Sequence, residues 1–505
     1  MLIKFKNMGV IGAGTMGMGI AEVAASHNQQ VYLFDLNNDF AHSAKQTMKK
    51  RLSSRVKRNK ISIEHRQNII DNITIVDDLK SLSDCQLVIE AIVENLKIKQ
   101  NLFNQLQQIC NEDTLFASNT SSISITAIAA TLDKPENMIG LHFFNPAPVM
   151  KLVEVIAGLR SSKENLDTGI KLCQFWNKIP VLAKSSPGFI VNRVARPFYG
   201  EALKMLQEQM ASPEMIDTLV QSAGFRMGPF TLMDLIGMDI NLSVSETVFK
   251  SMYYDPRYRP SLIQQEMVAA NLLGKKTGQG FYQYHENTEN KQIQYADKCK
   301  ATKYVSISTD ATPLDALTKQ IKASKYFIVT EHEAGVSMQV GECAIMLSNG
   351  ETCEQRVKSL MQRHLAQVDL MLDFKNCPVI HIAFNSQCPE TTRHEIIGMF
   401  QQLGRHVIVC SDTPALIVMR IVCLLINEAA DALDNGICSE NDVDLAMQKG
   451  VNYPIGLLAW ANIIGIANVV EILDNLHQWF GDDRYRVSPW LRRRESNVLK
   501  SLCHE

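Results

Sequence analysis

The sequence lacks the features that mark secreted, membrane-spanning and zinc-binding proteins. Its 12 cysteines are scattered singly between Cys85 and Cys503, with no CxxC pair among them. This spacing argues against a zinc site or a disulfide framework and favours a reducing compartment, so we expect a cytoplasmic protein with no metal. No apolar run approaches the roughly 20 residues that a membrane span needs. The first residues lead straight into a predicted strand, so we expect no signal peptide.

Charge of one sign is also scarce. The formal net charge is −2 and the isoelectric point is about 6.6, so the overall charge gives no reason to expect nucleic acid or an anionic membrane as a partner. The 505 residues are 46% hydrophobic and 21% charged, which is typical of an ordinary soluble protein with a sizeable core. At roughly 150 residues per domain, this length predicts three or four domains.

The first 35 residues carry a dinucleotide-binding pattern. An apolar strand at 8–11 is followed by Gly12, Gly14 and Gly17, a helix, and a second strand that ends at Asp35. A lone GxGxxG is weak evidence, but this complete order is a strong fingerprint. The glycines let the backbone approach a pyrophosphate at the helix N-terminus. Asp35 should accept hydrogen bonds from ribose hydroxyls and repel a 2′-phosphate, which favours NAD over NADP.

Polar side chains follow the next predicted strands. The strand at 86–92 ends in Glu90 and Glu94, the strand at 114–120 ends in the polar residues 118–122, and a further strand ends at His142. The carboxyl ends of strands in an open α/β sheet face the ligand crevice, so we expect these groups to line it.

A carboxylate lies in the apolar stretch that begins near His142. Glu154 lies twelve residues after the histidine, and both side chains need polar partners in such surroundings. A neutral imidazole can take the proton of a substrate hydroxyl near neutral pH. A carboxylate on its other ring nitrogen would fix the tautomer and stabilise the imidazolium.

Seven segments, spread over about the first 285 residues, carry a further pattern. They are VIGAGTMG (10–17), VIEAIVENLKIK (88–99), ASNTSSISIT (117–126), GLHFFNPAPVMKLVEVI (140–156), PGFIVNR (187–193), GPFTLMDLIG (228–237) and GKKTGQGFY (274–282). Taken in this order, they resemble the 3-hydroxyacyl-CoA dehydrogenases of fatty-acid β-oxidation. The resemblance implies NAD-dependent oxidation of L-3-hydroxyacyl-CoA to 3-ketoacyl-CoA, and the reverse. The long members of this family that act in phenylacetate breakdown suggest a short-chain or dicarboxylic substrate, such as 3-hydroxybutyryl-CoA or 3-hydroxyadipyl-CoA.

The resemblance also implies roles for individual residues. His142 and Glu154 would form the catalytic dyad, and Ser121 and Asn192 would be the further active-site residues. The implied NAD contacts are Gly12, Ala13, Gly14, Thr15, Met16, Gly17, Asp35, Glu94, Lys99, Ser121, Asn145 and Lys276.

The second half of the chain contains a degenerate repeat. PGFIVNRVARPFYGEAL (187–203) returns as PALIVMRIVCLLINEAA (414–430), an offset of 227 residues, and DPRYR (255–259) returns as DDRYR (482–486). Met419 replaces Asn192, GKKTGQGFY has no counterpart, and His381 stands near the Glu154 position. We therefore expect no chemistry and no second NAD in this half. Family members with one helical domain pair as dimers, so the tandem copy should pack as an internal pseudo-dimer; a further homo-oligomer is compatible with the sequence.

These patterns predict an α/β Rossmann-type doubly wound domain followed by all-α domains, with a remnant α/β unit in the second half. The predicted domains are an NAD-binding domain at 1–185, a first helical domain at 186–284, the remnant unit at 285–410 and a second helical domain at 411–505.

Several alternatives remain open from sequence. A basic stretch at 49–60 would suit the phosphates of CoA, or it is merely a solvated helix face. A related hydroxyacid or sugar-acid dehydrogenase that ignores CoA would typically use a lysine base. A non-catalytic NAD-binding relative, of the kind found among lens crystallins, would not need the His142–Glu154 pair.

Overall fold

A computed structural model describes residues 5–285, 293–309, 314–333 and 335–502, and side chains as far as residue 496. Residues 286–292, at the start of the predicted remnant unit, and Cys503 lie outside this range. The structure divides the chain into two compact units, 1–193 with 435–451, and 194–434 with 452–505.

The first 194 residues form an alternating α/β pattern. Strands and helices are numbered along the chain: β1 Asn7–Ile11, α1 Thr15–Ala25, β2 Gln30–Phe34, α2 Asn38–Lys57, α3 Ile63–Asp71, β3 Ile73–Val76, β4 Leu87–Glu90, α4 Leu96–Ile109, β5 Leu115–Ser118, α5 Ile125–Ala129, β6 Met138–Phe143, β7 Leu152–Ala157, α6 Lys163–Phe175, β8 Ile179–Lys184 and α7 Val191–Val194.

The middle of the chain contains two helical stretches on either side of a second α/β region. The elements are α8 Arg196–Gln207, α9 Pro213–Ser222, α10 Pro229–Ile236, α11 Met238–Ser251, α12 Leu262–Ala269, β9 Tyr304–Ser308, α13 Asp315–Ala323, β10 Ile328–His332, β11 Met338–Val340, β12 Cys343–Leu347, α14 Cys353–Ser359, β13 His364–Val368, β14 Val379–Phe384, α15 Glu390–Gln402, β15 His406–Val409 and α16 Val418–Asp434.

The remainder of the chain is helical. It comprises α17 Glu440–Gly450, α18 Leu457–Ile464, α19 Ile466–Phe480 and α20 Pro489–Leu502.

The first unit contains an eight-stranded sheet in the order β3-β2-β1-β4-β5-β6-β7-β8. Its pairs are parallel except β6 with β7, which run antiparallel and place His142 directly opposite Glu154. The central strands are buried along almost their whole length, as parallel strands covered on both faces by helices must be. The crossover from β1 through α1 to β2 positions the glycine loop at the carboxyl end of β1.

Residues 435–451, from the second half of the chain, complete this unit. Helix α17 packs on β7 and β8, and the N–H of Lys184 donates to the carbonyl of Ile437 at 2.8 Å. Gly450 lies so close to β7 that a Cβ there would meet Leu152 at 2.7 Å. The predicted second helical domain, 411–505, includes this segment, which the structure groups with the first unit.

The second unit contains a seven-stranded sheet in the order β10-β9-β11-β12-β13-β14-β15. Its last four strands repeat a pattern of the first sheet. β12 pairs with β13 in parallel, β13 with β14 antiparallel, and β14 with β15 in parallel, as β5 to β8 do. The predicted α/β unit is therefore present.

The two helical copies meet within the second unit, where α8 packs against α16. Tyr258 donates its hydroxyl proton to Glu428 at 2.5 Å, and Tyr485 donates to Glu201 at 3.0 Å. Each tyrosine belongs to one copy and each glutamate to the other, and both pairs are related by the 227-residue offset.

The predicted fold class is thus confirmed: a Rossmann-type sheet, helical regions and a second sheet. Among the described residues, no single helix has the length and apolar composition to cross a membrane. The helices Leu457–Ile464 and Ile466–Phe480 meet that test only as a pair, bent by 93°.

Candidate active site

In the glycine loop after β1, a side chain would clash with the protein backbone at two glycines and would meet open space at the third. Gly12 has φ +98°, and a Cβ there would lie 2.5 Å from the carbonyl oxygen of Ala91. A Cβ on Gly17 would lie 1.8 Å from the carbonyl oxygen of Gly12. A Cβ on Gly14 would meet no protein atom within 4 Å, so open space lies in front of this residue. That is the place where a pyrophosphate would approach the backbone.

The N-terminus of α1 lies beside this space. Gly14 is the N-cap residue, no side chain caps it, and the first turn carries no acid. Its N–H groups and the helix dipole are therefore available to an anion. Thr15 and Met16, which the resemblance named as NAD contacts, form the first turn of the helix.

Asp35 follows β2 and is tied to the glycine loop. Its carboxylate accepts the N–H of Ala13 at 2.7 Å and the N–H of Asn37 at 2.9 Å. The residue is half-buried, and its oxygens retain lone pairs for ribose hydroxyls. Loop, helix terminus and acid together fit an NAD molecule.

The antiparallel pairing of β6 with β7 brings the predicted dyad together. The Nδ1 of His142 lies 2.6 Å from Oε2 of Glu154. Glu154 is fully buried, whereas the side chain of His142 is 8% exposed. The rings of Phe144 and Phe189 lie 4.6 and 5.8 Å from the imidazole, centroid to centroid. The sequence analysis did not identify these two aromatic neighbours, although both stand in its matched segments.

The second oxygen of Glu154 is held by backbone. Oε1 accepts the N–H groups of Ile190 and Val191, both at 3.0 Å. These groups converge because Gly188 and Phe189 both have left-handed backbones, with φ +74° and +49°. Asn192 comes next in the chain and is half-buried. The carboxylate thus fixes both His142 and the segment that carries Asn192.

A second histidine–carboxylate pair lies in the second unit. The Nδ1 of His381 lies 2.8 Å from Oδ2 of Asp369, and both side chains are fully buried. Asp369 accepts the N–H groups of Ile417, Val418 and Met419 at 2.8–3.0 Å. The 227-residue offset relates Asp369 to His142 and His381 to Glu154, so histidine and acid have exchanged strands. His381 could be identified from the repeat, whereas its partner Asp369 was not predicted.

Glu94 organises the polar ends of β4 and β5. Its Oε1 accepts the hydroxyl of Thr120 at 2.6 Å, the N–H of Ser121 at 3.0 Å and the hydroxyl of Ser122 at 2.9 Å. Burial acts to raise the pKa of Glu94, but Lys99 and these hydroxyls lower it overall. Ser121 is therefore positioned by Glu94, with its Oγ 3.4 Å from the carboxylate.

Lys99 lies beneath this group. Its Nζ lies 2.5 Å from Glu90 and 3.2 Å from Glu94, and its side chain is 1% exposed. Glu90 also accepts the hydroxyl of Ser118 at 2.6 Å. The resemblance implied a direct cofactor contact for Lys99, and the structure places its ammonium against Glu90 and Glu94.

The remaining predicted contacts are more exposed. Asn145 lies on the surface just after β6. Lys276, in the second unit, pairs with Asp239 at 2.5 Å. In the basic stretch, Arg51 forms an ion pair with the buried Glu22. The described residues contain no group of three or more His, Cys, Asp or Glu side chains that could hold a metal ion.

A dinucleotide-binding crossover next to a buried histidine–glutamate pair defines a class of protein, the nicotinamide-dependent dehydrogenases. The family models narrow this class. Residues 7–186 match the 3-hydroxyacyl-CoA dehydrogenase NAD binding domain, and residues 188–284 and 416–497 match the C-terminal domain of the same family. Residues 345–414 match the 3-hydroxybutyryl-CoA dehydrogenase reduced Rossmann-fold domain. The chain belongs to the 3-hydroxyacyl-CoA dehydrogenase family, and it is an NAD-dependent oxidoreductase that acts on 3-hydroxyacyl-CoA.

Individual relatives agree with this assignment. The chain is 41% identical over 495 residues to a 3-hydroxyadipyl-CoA dehydrogenase of Escherichia coli K12, covering 98% of each chain. It is similar to the crystal structure of an E. coli K12 3-hydroxybutyryl-CoA dehydrogenase, with a TM-score of 0.90, 39% identity and coverage of 99% and 100%. The (S)-3-hydroxybutyryl-CoA dehydrogenase of Ralstonia eutropha matches 56% of this chain and 100% of its own, with 38% identity and a TM-score of 0.54.

Proposed function

We propose that His142 is the general base that takes the hydroxyl proton of an L-3-hydroxyacyl-CoA, with Glu154 as the group that orients it. The 2.6 Å contact between Nδ1 and the buried carboxylate carries this proposal. A proton held on Nδ1 by Glu154 leaves Nε2 as the basic nitrogen. The carboxylate then stabilises the imidazolium that forms when Nε2 takes the substrate proton. In the reverse reaction the same nitrogen returns the proton.

Ser121 and Asn192 would orient the substrate. Each has a donor for the oxygen on C3, where negative charge develops during the reaction, or for the thioester oxygen, which such a bond would hold in place. Both side chains belong to segments fixed by a carboxylate, Glu94 for Ser121 and Glu154 for Asn192. Their positions are therefore set before substrate arrives.

Within the first unit, the cofactor would be held by the 12–17 loop, Asp35, Glu94 and Asn145. Bound NAD accepts the hydride that leaves C3 of the substrate. Asp35 would select NAD over NADP through its charge. We assign Lys99 a positioning role, since it neutralises and orients Glu94 from below.

The names of the relatives guide the choice of substrate. They act on short-chain or dicarboxylic acyl-CoA, and one is named for the (S) enantiomer, so we propose 3-hydroxybutyryl-CoA or 3-hydroxyadipyl-CoA. The described cysteines, none of them in a disulfide, support a cytoplasmic enzyme.

Turnover of acetoacetyl-CoA with NADH tests this function. We expect oxidation of NADH that depends on the acyl-CoA, and a weaker reaction with free acetoacetate. Equal activity on the free acid would favour the hydroxyacid dehydrogenases that ignore CoA. NADH binding without turnover of any acyl-CoA would favour a non-catalytic relative.

We further propose that the two helical copies form an internal pseudo-dimer and that the α/β unit at 285–410 binds no NAD. The reciprocal bonds of Tyr258 with Glu428 and Tyr485 with Glu201 support the first point. A 1–290 fragment would expose the apolar surface that α16 covers, and such patches drive association. We expect the fragment to self-associate or precipitate in light scattering. A stable soluble monomer would contradict the pseudo-dimer.

A further inference from the structure

The second unit contains a cavity of about 170 Å³ between the α/β region and the helices of the second copy. It is bounded by the carboxyl end of β12 and by residues of α14, α16, α18 and α19. An engineered cavity of about 150 Å³ holds a molecule of benzene, so this space is large enough for a small organic ligand.

The repeat explains why a cavity exists here. Met419, on its wall, is the counterpart of Asn192, the predicted substrate-orienting residue of the first copy. Residues 346–349 line it at the end of β12, and that strand pairs with β13 as β5 pairs with β6. The second copy thus retains a cavity beside the counterparts of the first copy's candidate residues.

One polar group in the cavity lacks a partner. Ser348 is 2% exposed, and its hydroxyl makes no hydrogen bond within the described residues, although it lines the cavity. A buried hydroxyl without a partner destabilises the fold, so a ligand oxygen that accepts its proton would supply the missing hydrogen bond.

A guanidinium lies on the same wall. Arg356 donates from Nη1 to the carbonyl of Leu347 at 2.6 Å, and the group carries further N–H donors. A guanidinium together with a hydroxyl suits the two oxygens of a carboxylate. Apolar side chains also line the cavity, namely Met346, Met419, Ile464 and Ile472.

Acids near Arg356 restrict the charge of a ligand. Glu471 lines the cavity, is exposed, and accepts a hydrogen bond from Asn349 at 2.9 Å. Burial lowers the pKa of Arg356, and the charges of Glu471 and Glu351 oppose that shift, so the guanidinium can balance only a small further negative charge. A second negative charge on the ligand would meet the carboxylate of Glu471, and like charges at close range repel. The site should therefore disfavour dianions.

We propose that this cavity is a non-catalytic binding site for a small monocarboxylic acid, whose carboxylate meets Arg356 and Ser348 and whose hydrocarbon tail lies on Met419, Ile464 and Ile472. No imidazole lines the cavity, and His381 is sealed in its pair with Asp369. The site therefore binds without turning its ligand over.

Calorimetric titration of the full-length protein with hexanoate tests the proposal. We expect one site per chain in the millimolar range or tighter, as suits a ligand of about eight non-hydrogen atoms. Hexanol should bind more weakly because it lacks the carboxylate. Adipate should also bind more weakly, because its second charge meets Glu471.

Two substitutions locate the site. Ser348→Ala should weaken hexanoate roughly fivefold and Arg356→Met roughly tenfold or more, in line with a neutral and a charged hydrogen bond. The matched control is Arg363→Met, which removes an arginine that is 79% exposed, and it should leave affinity unchanged. Circular dichroism would show whether each variant folds, and Ser348→Ala, which removes only an unbonded hydroxyl, keeps the test valid if Arg356→Met does not.

Two results would overturn the proposal. One is the absence of hexanoate binding to wild type at 10 mM, far above the expected range (about 1 mM). The other is binding that both cavity substitutions leave unchanged, which would place the acid elsewhere, for example in the catalytic site.

Discussion

The two histidine–carboxylate pairs occupy the same register positions in two sheets, yet they are built in opposite order. In the first, the histidine is on β6 and the acid on β7; in the second, Asp369 follows β13 and His381 is on β14. His142 keeps 8% of its side chain exposed, whereas His381 keeps none. The exchange of the two residue types therefore accompanies a change from a partly exposed histidine to a fully buried one.

The backbone that holds the acid is the same in both copies. Gly188 and Phe189 have positive φ, and so do their counterparts Ala415 and Leu416, at +62° and +52°. Left-handed backbone is unfavourable for alanine and leucine, so something must stabilise it there. The carboxylate of Asp369, which accepts three N–H groups from the following residues, supplies that stabilisation. The second copy therefore contains the same carboxylate-binding turn but has no exposed imidazole at its pair.

The largest effect should come from replacing the two histidines separately. We expect His142→Gln to reduce kcat by about 10² to 10⁴-fold, the usual contribution of a general base, with NADH affinity largely kept. His381→Gln should leave kcat close to wild type, measured well below its unfolding temperature. Steady-state kinetics with acetoacetyl-CoA compares the two. More than a tenth of the wild-type rate in His142→Gln would refute its assignment as the base.

Replacing the two acids should give the next largest difference. Glu154→Gln would place an amide N–H against Nδ1 and favour the wrong tautomer, so we expect kcat to fall about 10² to 10³-fold. Asp369→Asn should leave kcat unchanged and lower the free energy of unfolding by about 1–3 kcal/mol, because buried N–H groups lose a charged acceptor. Kinetics and thermal unfolding of both variants separate these effects. Loss of activity in Asp369→Asn without unfolding would show that the second pair supports the first.

The glycine loop and Asp35 could be predicted from the sequence because those features are local, whereas the pairing of His142 with Glu154 was implied by the family resemblance. Three features could not be predicted in this way. Asp369 escaped because the exchanged order of the pair breaks the motif, and only the repeat offset leads to it. The resemblance implied that Lys99 contacts NAD, but it could not show that helix α4 buries the ammonium against Glu90 and Glu94. The packing of α17 on β8 joins residues more than 250 positions apart, which no local pattern reveals.

The cofactor sites of the two copies should also differ, with a smaller effect. Asp35→Ser should weaken NADH roughly tenfold or more through loss of charged hydrogen bonds to the ribose, and it should relax discrimination against NADPH. Calorimetric titration of wild type should give one NAD per chain, since no glycine fingerprint occurs between residues 285 and 378. Equal use of NADPH and NADH by wild type would contradict the role of Asp35. A titration that gives two equivalent NAD sites per chain would show that the second copy also binds the cofactor, contrary to this prediction.

The smallest expected effect is a pH dependence of stability to which the second pair contributes. Burial acts against the imidazolium of His381, but Cys410 and Asp369 outweigh it and raise the pKa of His381 to about 10. A histidine whose pKa is raised on folding adds stability below its unfolded pKa near 6.5, and that stability is lost as the pH rises through the folded value. The unfolding temperature of wild type should therefore fall between pH 6.5 and 10. His381→Gln should flatten this decline, whereas His394→Gln, at a surface position, should keep it. Cys410→Ala would show how much of the decline depends on the thiol. If wild type and His381→Gln lose stability in parallel over this range, the buried pair is neutral and Asp369 acts through the backbone N–H groups alone.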